Sequence, residues 1–191
     1  MNKKNLILYV HGWNSHAKAR KAELLKTELQ NHNSFEATAI SLKTHPREAV
    51  QQLIKFIESK QDDYIVHLIG SSLGGYYSTY VAEKMNLKAA MINPAVWAYK
   101  IFEHDRGENT NPNTGEEYFI DQEWIDSLEE IFIESPTPEK YLVLLQTGDE
   151  TLNYKYAEKY FTGASLVIDE GGSHSFENLE IKLPQILLHF S

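Results

Sequence analysis

The stretch Ile65-Val66-His67-Leu68-Ile69-Gly70-Ser71-Ser72-Leu73-Gly74-Gly75 decides how this chain is read. Its opening residues, apolar apart from His67, suit a strand buried on both faces. Gly70-x-Ser72-x-Gly74 then marks a tight turn, and the residues beyond it place Tyr77, Tyr80, Val81 and Met85 on one helical face. In a strand–turn–helix elbow of this kind Ser72 stands at the apex with its hydroxyl clear of the sheet. Small flanking residues are needed because the elbow is strained and presses backbone on backbone. The motif alone is weak evidence, since three fixed Gly and Ser positions match by chance in roughly one chain of this length in fifteen. A base, an acid and an oxyanion hole must be found elsewhere, in a compatible order.

Upstream of the elbow, residues 6–10 form a continuous apolar run, as in a strand covered on both sides. His11-Gly12-Trp13-Asn14-Ser15 ends it, and Asn14 or Ser15 is placed to cap a helix whose stripe is Ala22, Leu25 and Leu29. Residues 35–42 are a shorter strand candidate. Pro46 suits a first helical turn, and Val50, Leu53, Ile54 and Ile57 give helical spacing up to Ser59. Downstream, residues 89–92 form a short apolar strand ended by Asn93-Pro94.

Residues 97–138 are rich in acidic and aromatic side chains, with a polar turn cluster at 109–115 and a helix carrying Trp124, Leu128, Ile131 and Phe132. They read as a cap-like insert over the sheet edge, within one domain spanning 1–191. Strands then return at 141–145 and 166–168, separated by a helix at 154–161. A last helix carries Phe176, Leu179, Leu183, Ile186 and Leu187, with a kink expected at Pro184. Apolar strands alternating with helices call for an α/β fold: a mostly parallel sheet of about six strands with helices on both faces.

Composition narrows the function. The chain has 191 residues, 42% hydrophobic and 24% charged, enough for one domain with a real core. No apolar run approaches the roughly 20 residues that span a bilayer. Lys3 and Lys4 before a five-residue apolar run stop well short of a signal peptide, so a cytoplasmic location is expected. The absence of cysteine excludes disulfides, thiolate metal sites and cysteine nucleophiles. A net charge of −9 argues against nucleic acid and against an anionic membrane surface as partners.

Reactive groups of open parallel sheets collect at the carboxyl ends of the strands. Ser72 follows one strand, Asp149 the 141–145 strand, and His174 the 166–168 strand. Ser, Asp, His is the order of an α/β-hydrolase. A neutral serine hydroxyl is a poor nucleophile and needs a base; His174 can take its proton, and Asp149 can orient the ring and stabilise the imidazolium. The backbone N–H of Leu73 and that of Trp13 are the expected oxyanion donors, with Gly12 permitting close approach. His11 is assigned to shaping that loop by hydrogen bonds. Ser71 falls out of the motif frame, Glu150 is the neighbouring rival to Asp149, and Asp169 lies too near His174 along the chain to orient it easily. His67, inside a strand, reads as a core residue. No metal spacing such as His-Glu-x-x-His occurs, and no phosphate-loop Gly-Lys-Ser/Thr follows the glycines, so neither metal nor cofactor is expected.

Several blocks in order carry a family resemblance: Leu8-Tyr9-Val10-His11-Gly12-Trp13-Asn14-Ser15, Gly70-Ser71-Ser72-Leu73-Gly74-Gly75-Tyr76-Tyr77, Asn93-Pro94-Ala95-Val96, Asn111-Pro112 with Thr114-Gly115, Gln146-Thr147-Gly148-Asp149-Glu150, and Glu170-Gly171-Gly172 with His174. Together they resemble the YqiA-type small bacterial esterases and cover nearly the whole chain. The resemblance implies a compact α/β-hydrolase fold, carboxylic ester hydrolysis with acyl thioesters as further substrates, and a match of Ser72, Asp149 and His174 to the family's triad. In that family Asn-Pro-Ala-Val is usually followed by Arg-Pro; Trp97-Ala98 stand here instead, which removes one potential contact to an anionic substrate group.

The expected activity is therefore hydrolysis of a small-molecule acyl ester or thioester through an acyl-enzyme, with the acyl group against Trp97, Tyr99 and Trp124 of the insert. Two competing readings use the same residues: a non-catalytic binding protein on a hydrolase scaffold, and an amidase or peptidase with the same triad.

Overall fold

The computed structural model describes residues 3–191. In chain order, β1 (Lys4–Val10), α1 (Arg20–Leu29), β2 (Phe35–Ala39), α2 (Pro46–Glu58), β3 (Tyr64–Ser71), α3 (Leu73–Met85) and β4 (Ala89–Ile92) alternate strictly. The connection from β4 onward holds α4 (Ala98–Ile101), a 3-10 turn at Phe102–Asp105, an antiparallel hairpin of β5 (Gly107–Thr110) and β6 (Glu117–Ile120), and α5 (Gln122–Glu129). Then come β7 (Tyr141–Gln146), α6 (Tyr154–Tyr160), β8 (Ser165–Asp169) and α7 (Leu179–Phe190). Among the described residues no helix is long and apolar enough to cross a membrane.

The six long-connection strands form one sheet in the order β2-β1-β3-β4-β7-β8, every neighbouring pair parallel. The chain leaves β1 toward one edge to make β2, then crosses back to make β3 on the other side of β1. Such a reversal opens a crevice at the carboxyl ends of the two strands, the usual ligand position in open α/β sheets. Here the crevice lies between the loop after Val10 and the elbow after Ser71.

Both sheet faces are covered, which explains the continuous apolar strands. Ile7, Tyr9, Ile69 and Ile92 point into a core shared with Ala22, Leu25 and Leu29 of α1 and Leu183, Ile186 and Phe190 of α7. Leu8, Val10, Leu68 and Met91 point the other way, against α2, α3 and α5. On α2 the buried positions are Pro46, Ala49, Val50, Leu53 and Ile57, one helical stripe; burying a side chain such as Leu53 or Ile57 contributes about 2 kcal/mol.

Some boundaries differ from the sequence reading. Neither Asn14 nor Ser15 caps α1: the helix starts at Arg20 with Ala19 at its N-cap and no side-chain cap, and residues 11–15 instead form part of the crevice wall. β2 ends at Ala39, and Phe176 precedes α7 with a left-handed backbone (φ 58°). Pro184 lies within α7 without ending it; having no N–H, it removes one intrahelical hydrogen-bond donor. The 109–115 turn cluster closes the β5–β6 hairpin, where the Gly115 N–H donates to the Asn111 carbonyl at 2.8 Å.

His67 is a core residue, 3% exposed and stacked on Phe190 with ring centroids 4.5 Å apart. Its Nε2 faces Asn5 Oδ1 at 2.9 Å, and its Nδ1 has no partner among the described residues. Burial, then the nearby Lys88 charge, depresses its pKa to about 4. A neutral folded imidazole means that the unfolded chain takes up a proton first as pH falls through about 6.5. Folding stability should thus decline from there down to about pH 4, by about 2 kcal/mol between pH 7 and pH 5 from this residue. His67→Phe keeps the stack and should flatten that part of the slope. Urea unfolding of both proteins at pH 7 and pH 5 checks it; an equal loss in the two would remove His67 as the cause.

Candidate active site

Ser72 joins β3 to α3 with φ 56° and ψ −126°, a conformation that L-residues rarely adopt. The surrounding backbone holds it there. Its N–H donates to the Ile92 carbonyl at 3.1 Å, and its own carbonyl accepts from the N–H groups of Gly75 (2.9 Å) and Ala95 (3.0 Å). Two glycines are dictated by contact. A Cβ on Gly74 would lie 2.1 Å from the Val10 carbonyl oxygen, and one on Gly12 would lie 3.0 Å from the Ser72 Cβ. The end of β1 and the start of α3 therefore meet backbone to backbone, with the Gly12 loop pressed on the serine.

Three strand ends converge on this elbow. His174, in the loop between β8 and α7, places Nε2 3.0 Å from Ser72 Oγ. Its Nδ1 lies 2.8 and 3.0 Å from the two carboxylate oxygens of Asp149, just past β7. Asp149 is itself held, because Oδ1 accepts from the N–H groups of Thr151 (2.9 Å) and Leu152 (2.7 Å). With Asp149 ionised, Nδ1 carries the ring proton and Nε2 is free to accept from the serine hydroxyl. Glu150 binds the same histidine differently, accepting its backbone N–H at 2.9 Å. Asp169 pairs with Lys182 at 2.6 Å and takes no part.

The loop carrying His174 is fastened from beneath by two side chains whose part the sequence did not reveal. Asn93, buried at the end of β4, donates through Nδ2 to the Ser173 carbonyl (3.0 Å) and accepts the Gln146 N–H (3.0 Å). Gln146 accepts the N–H groups of Ser173 (3.1 Å) and Glu177 (2.9 Å), and donates to the Glu177 carbonyl (2.9 Å). A buried amide brackets either side of the histidine. The signals in the sequence were polar residues at the ends of two apolar strands and the place of Asn93 and Gln146 at the head of two of the family-like blocks.

The loop after β1 forms the opposite wall. His11 is buried, and burial holds its ring pKa below the ordinary value, then its bond to Gly12 opposes that. It accepts the Leu42 N–H through Nε2 (3.0 Å), so Nδ1 donates to the Gly12 carbonyl (2.9 Å). Across a trans peptide, fixing the Gly12 carbonyl also fixes the Trp13 N–H, which points the opposite way. Among the described residues neither the Trp13 N–H nor the Leu73 N–H has an acceptor. The Trp13 indole donates to the Tyr118 hydroxyl (2.6 Å), which donates to Asn14 Oδ1 (2.9 Å), and packs edge-on to Phe102 at 5.0 Å. Residues of the 97–138 segment thus clamp this loop.

The aromatic residues expected around an acyl group separate. Trp97, in a left-handed conformation (φ 53°), lines an apolar cavity of about 500 Å³ with Val96, Ile101, Leu152 and Tyr156. Tyr99 packs edge-on to Phe132 at 5.6 Å and is not on that wall. Trp124 is corrected outright: it is 2% exposed and lies in the core against Phe102, since α5 turns Trp124, Ile125 and Leu128 inward together. Among the described residues no cluster of three or more His, Asp or Glu is arranged to hold a metal ion.

A second cavity, about 330 Å³, opens directly onto Ser72 and His174 and is bounded by Trp13, Arg20 and Lys21. Arg20 donates to the Phe176 carbonyl (3.1 Å) and Lys21 to the Ser175 carbonyl (2.9 Å). Burial, then repulsion from Arg20, lowers the Lys21 pKa to about 8.

Solved structures similar to this one include Est1E from Butyrivibrio proteoclasticus, determined with ferulic acid bound (TM-score 0.78, 15% identity, covering 98% of this chain and 90% of that one). They also include a putative hydrolase from Agrobacterium vitis S4 (TM-score 0.76, 12% identity, 98% and 88%). XC6422 from Xanthomonas campestris, described as an α/β serine hydrolase without lid, gives a TM-score of 0.62 at 15% identity over 99% and 81% of the two chains. At such identities these likenesses establish the fold, which is that of the α/β-hydrolases. Among sequence relatives, the UPF0227 protein YcfP of Escherichia coli O9:H4 (strain HS) is 26% identical over 187 residues, covering 95% of this chain and 96% of the relative. The model of the Uncharacterised protein family (UPF0227) matches residues 6–191, so this α/β-hydrolase-fold chain belongs to UPF0227, the family its YqiA-like motifs pointed to.

Proposed function

We propose that this protein is a serine hydrolase that cleaves carboxylic esters or acyl thioesters of small molecules through an acyl-enzyme. The observation that carries the reading is the continuous chain Ser72 Oγ–His174 Nε2, His174 Nδ1–Asp149, beside the Leu73 and Trp13 N–H groups, which have no acceptor among the described residues. Ser72 Oγ attacks the acyl carbon while His174 Nε2 takes its proton, and Asp149 stabilises the imidazolium. The carbonyl oxygen, now an oxyanion, accepts from the N–H groups of Leu73 and Trp13. Collapse of this adduct breaks the bond to the alcohol or thiol, which leaves with the proton from His174. Water, deprotonated by the same nitrogen, then releases the acid and regenerates Ser72. That an esterase domain from Rhodothermus marinus and a protein described as an α/β serine hydrolase share this fold supports the reading by analogy.

A fluorophosphonate probe tests it: the wild type should be labelled at Ser72 and should hydrolyse 4-nitrophenyl butyrate. A folded wild type that neither reacts with the probe nor turns over the ester would make this a binding protein on a hydrolase scaffold.

On the same reading His11 is a positioning residue, acting through the Gly12–Trp13 peptide. His11→Ala frees that peptide and should lower kcat roughly 10- to 100-fold, part of what a whole oxyanion donor contributes, with KM little changed. His11→Asn, whose amide can still donate to the Gly12 carbonyl, should recover part of the loss. A fall confined to KM, or no recovery by asparagine, would count against the role.

A further inference from the structure

The cavity that opens onto Ser72 and His174 contains two cations that the proposed chemistry does not use. Arg20 and Lys21 stand in the first turn of α1, where the helix dipole disfavours positive charge. Among the described residues neither forms a salt bridge, although the chain carries a net charge of −9. Their hydrogen-bond partners are the main-chain carbonyls of Phe176 and Ser175, neutral groups; the Asp149 carboxylate acts on Lys21 from beyond contact distance, so neither cation is in direct contact with a carboxylate among the described residues. Burial, then the neighbouring Arg20 charge, lowers the affinity of Lys21 for its proton, and the Asp149 charge opposes this.

Those carbonyls also say which side of the nucleophile the cations occupy. Residues 175 and 176 directly follow His174, so Arg20 and Lys21 lie on the histidine's side of the cavity. The leaving alcohol or thiol must be on that side, because it takes its proton from the imidazolium. Arginine and lysine both hold carboxylates and phosphates, arginine through a planar fork with donors to spare after one hydrogen bond.

We infer that Arg20 and Lys21 form an anion subsite for the leaving group, so that the preferred substrates are acyl esters or thioesters whose alcohol or thiol part carries a carboxylate or phosphate. This rests on the serine-hydrolase reading above and adds the substrate class. A leaving-group anion would sit between the two cations within reach of both, neutralising the pair as it binds. The opposite, acyl side of the substrate needs no charge.

The experiment compares 4-nitrophenyl butyrate with 3-carboxy-4-nitrophenyl butyrate and with its 3-phosphono counterpart, chromogenic esters with one acyl group and three leaving groups. The readout is the ratio of kcat/KM for each anionic ester to that for the neutral one, corrected for their uncatalysed hydrolysis rates. In the wild type at least one ratio should exceed one, and the larger one says whether carboxylate or phosphate is preferred. In the double variant Arg20→Gln/Lys21→Gln, whose amides can still donate to the loop carbonyls, that ratio should fall roughly tenfold or more, the equivalent of one charge-assisted hydrogen bond, mainly through KM. If the variant fails to fold, wild-type kinetics at rising salt serve instead, since a charge-borne preference weakens with ionic strength. Neutral and anionic esters cleaved with equal ratios, unmoved by the substitutions and by salt, would overturn the subsite and leave Arg20 and Lys21 as tethers of the histidine loop. A wild type that cleaves none of the three would instead defeat the hydrolase reading itself.

Discussion

Ser72→Ala is expected to fold as the wild type does and to lose at least about a thousandfold in turnover of 4-nitrophenyl butyrate, together with all labelling by a fluorophosphonate. The fold survives because alanine keeps the Cβ that already fits beside Gly12, and the strained backbone at φ 56° is held by Ile92, Gly75 and Ala95 rather than by the hydroxyl. Only the 3.0 Å contact to His174 is lost, a change within about 1 kcal/mol of stability. Water can still be activated by His174, which leaves a residual rate but no acyl-enzyme. Thermal unfolding and a single-turnover assay on the same preparation measure both halves. Turnover that persists at the wild-type rate in a folded variant would exclude Ser72 as the nucleophile.

Asp149→Asn should cost nearly as much, about a thousandfold to ten-thousandfold in kcat, and for a reason visible in the local hydrogen bonds. Oδ1 of Asp149 accepts two backbone N–H groups, from Thr151 and Leu152. In the asparagine variant those donors hold the amide oxygen at that position, so the NH₂ group is turned toward His174 Nδ1. Nδ1 must then accept, the ring proton moves to Nε2, and Nε2 can no longer take the proton of Ser72. The tautomer is wrong although every heavy atom is in place. NMR of the ring nitrogens should show the proton exchanged between Nδ1 and Nε2; a variant with normal kcat, or with Nδ1 still protonated, would contradict this account. Glu150 cannot substitute, being committed to the His174 backbone N–H.

The parts of the fold legible in the sequence were those governed by local pattern. Apolar runs such as Leu6 to Val10 must be covered on both sides, and Gly70-x-Ser72-x-Gly74 between a strand and a helical stripe admits few backbones. Helix starts were less legible where the decisive residues serve something else. Asn14 has the chemistry of a cap, yet its backbone sits at φ 52° and its side chain accepts from Tyr118, more than 100 residues away in the chain. Trp124 shows the same limit from the other direction. A helix stripe announces that one face is apolar without saying whether that face meets a ligand or the core, and here it meets the core.

The sequence by itself determined the class of fold and the order of Ser72, Asp149 and His174, because strand periodicity, turn composition and the right-handed crossover of parallel strands act over short stretches and leave little freedom of topology. Tertiary structure alone decided the distances. It put Asp149, and not the adjacent Glu150, against His174 Nδ1, set Asn93 and Gln146 under the histidine loop, and brought Arg20 and Lys21 of α1 to the cavity of a serine some 50 residues away. No local pattern encodes such meetings, because they depend on how separately formed elements pack, and a hydrogen bond is strengthened where that packing lowers the local dielectric.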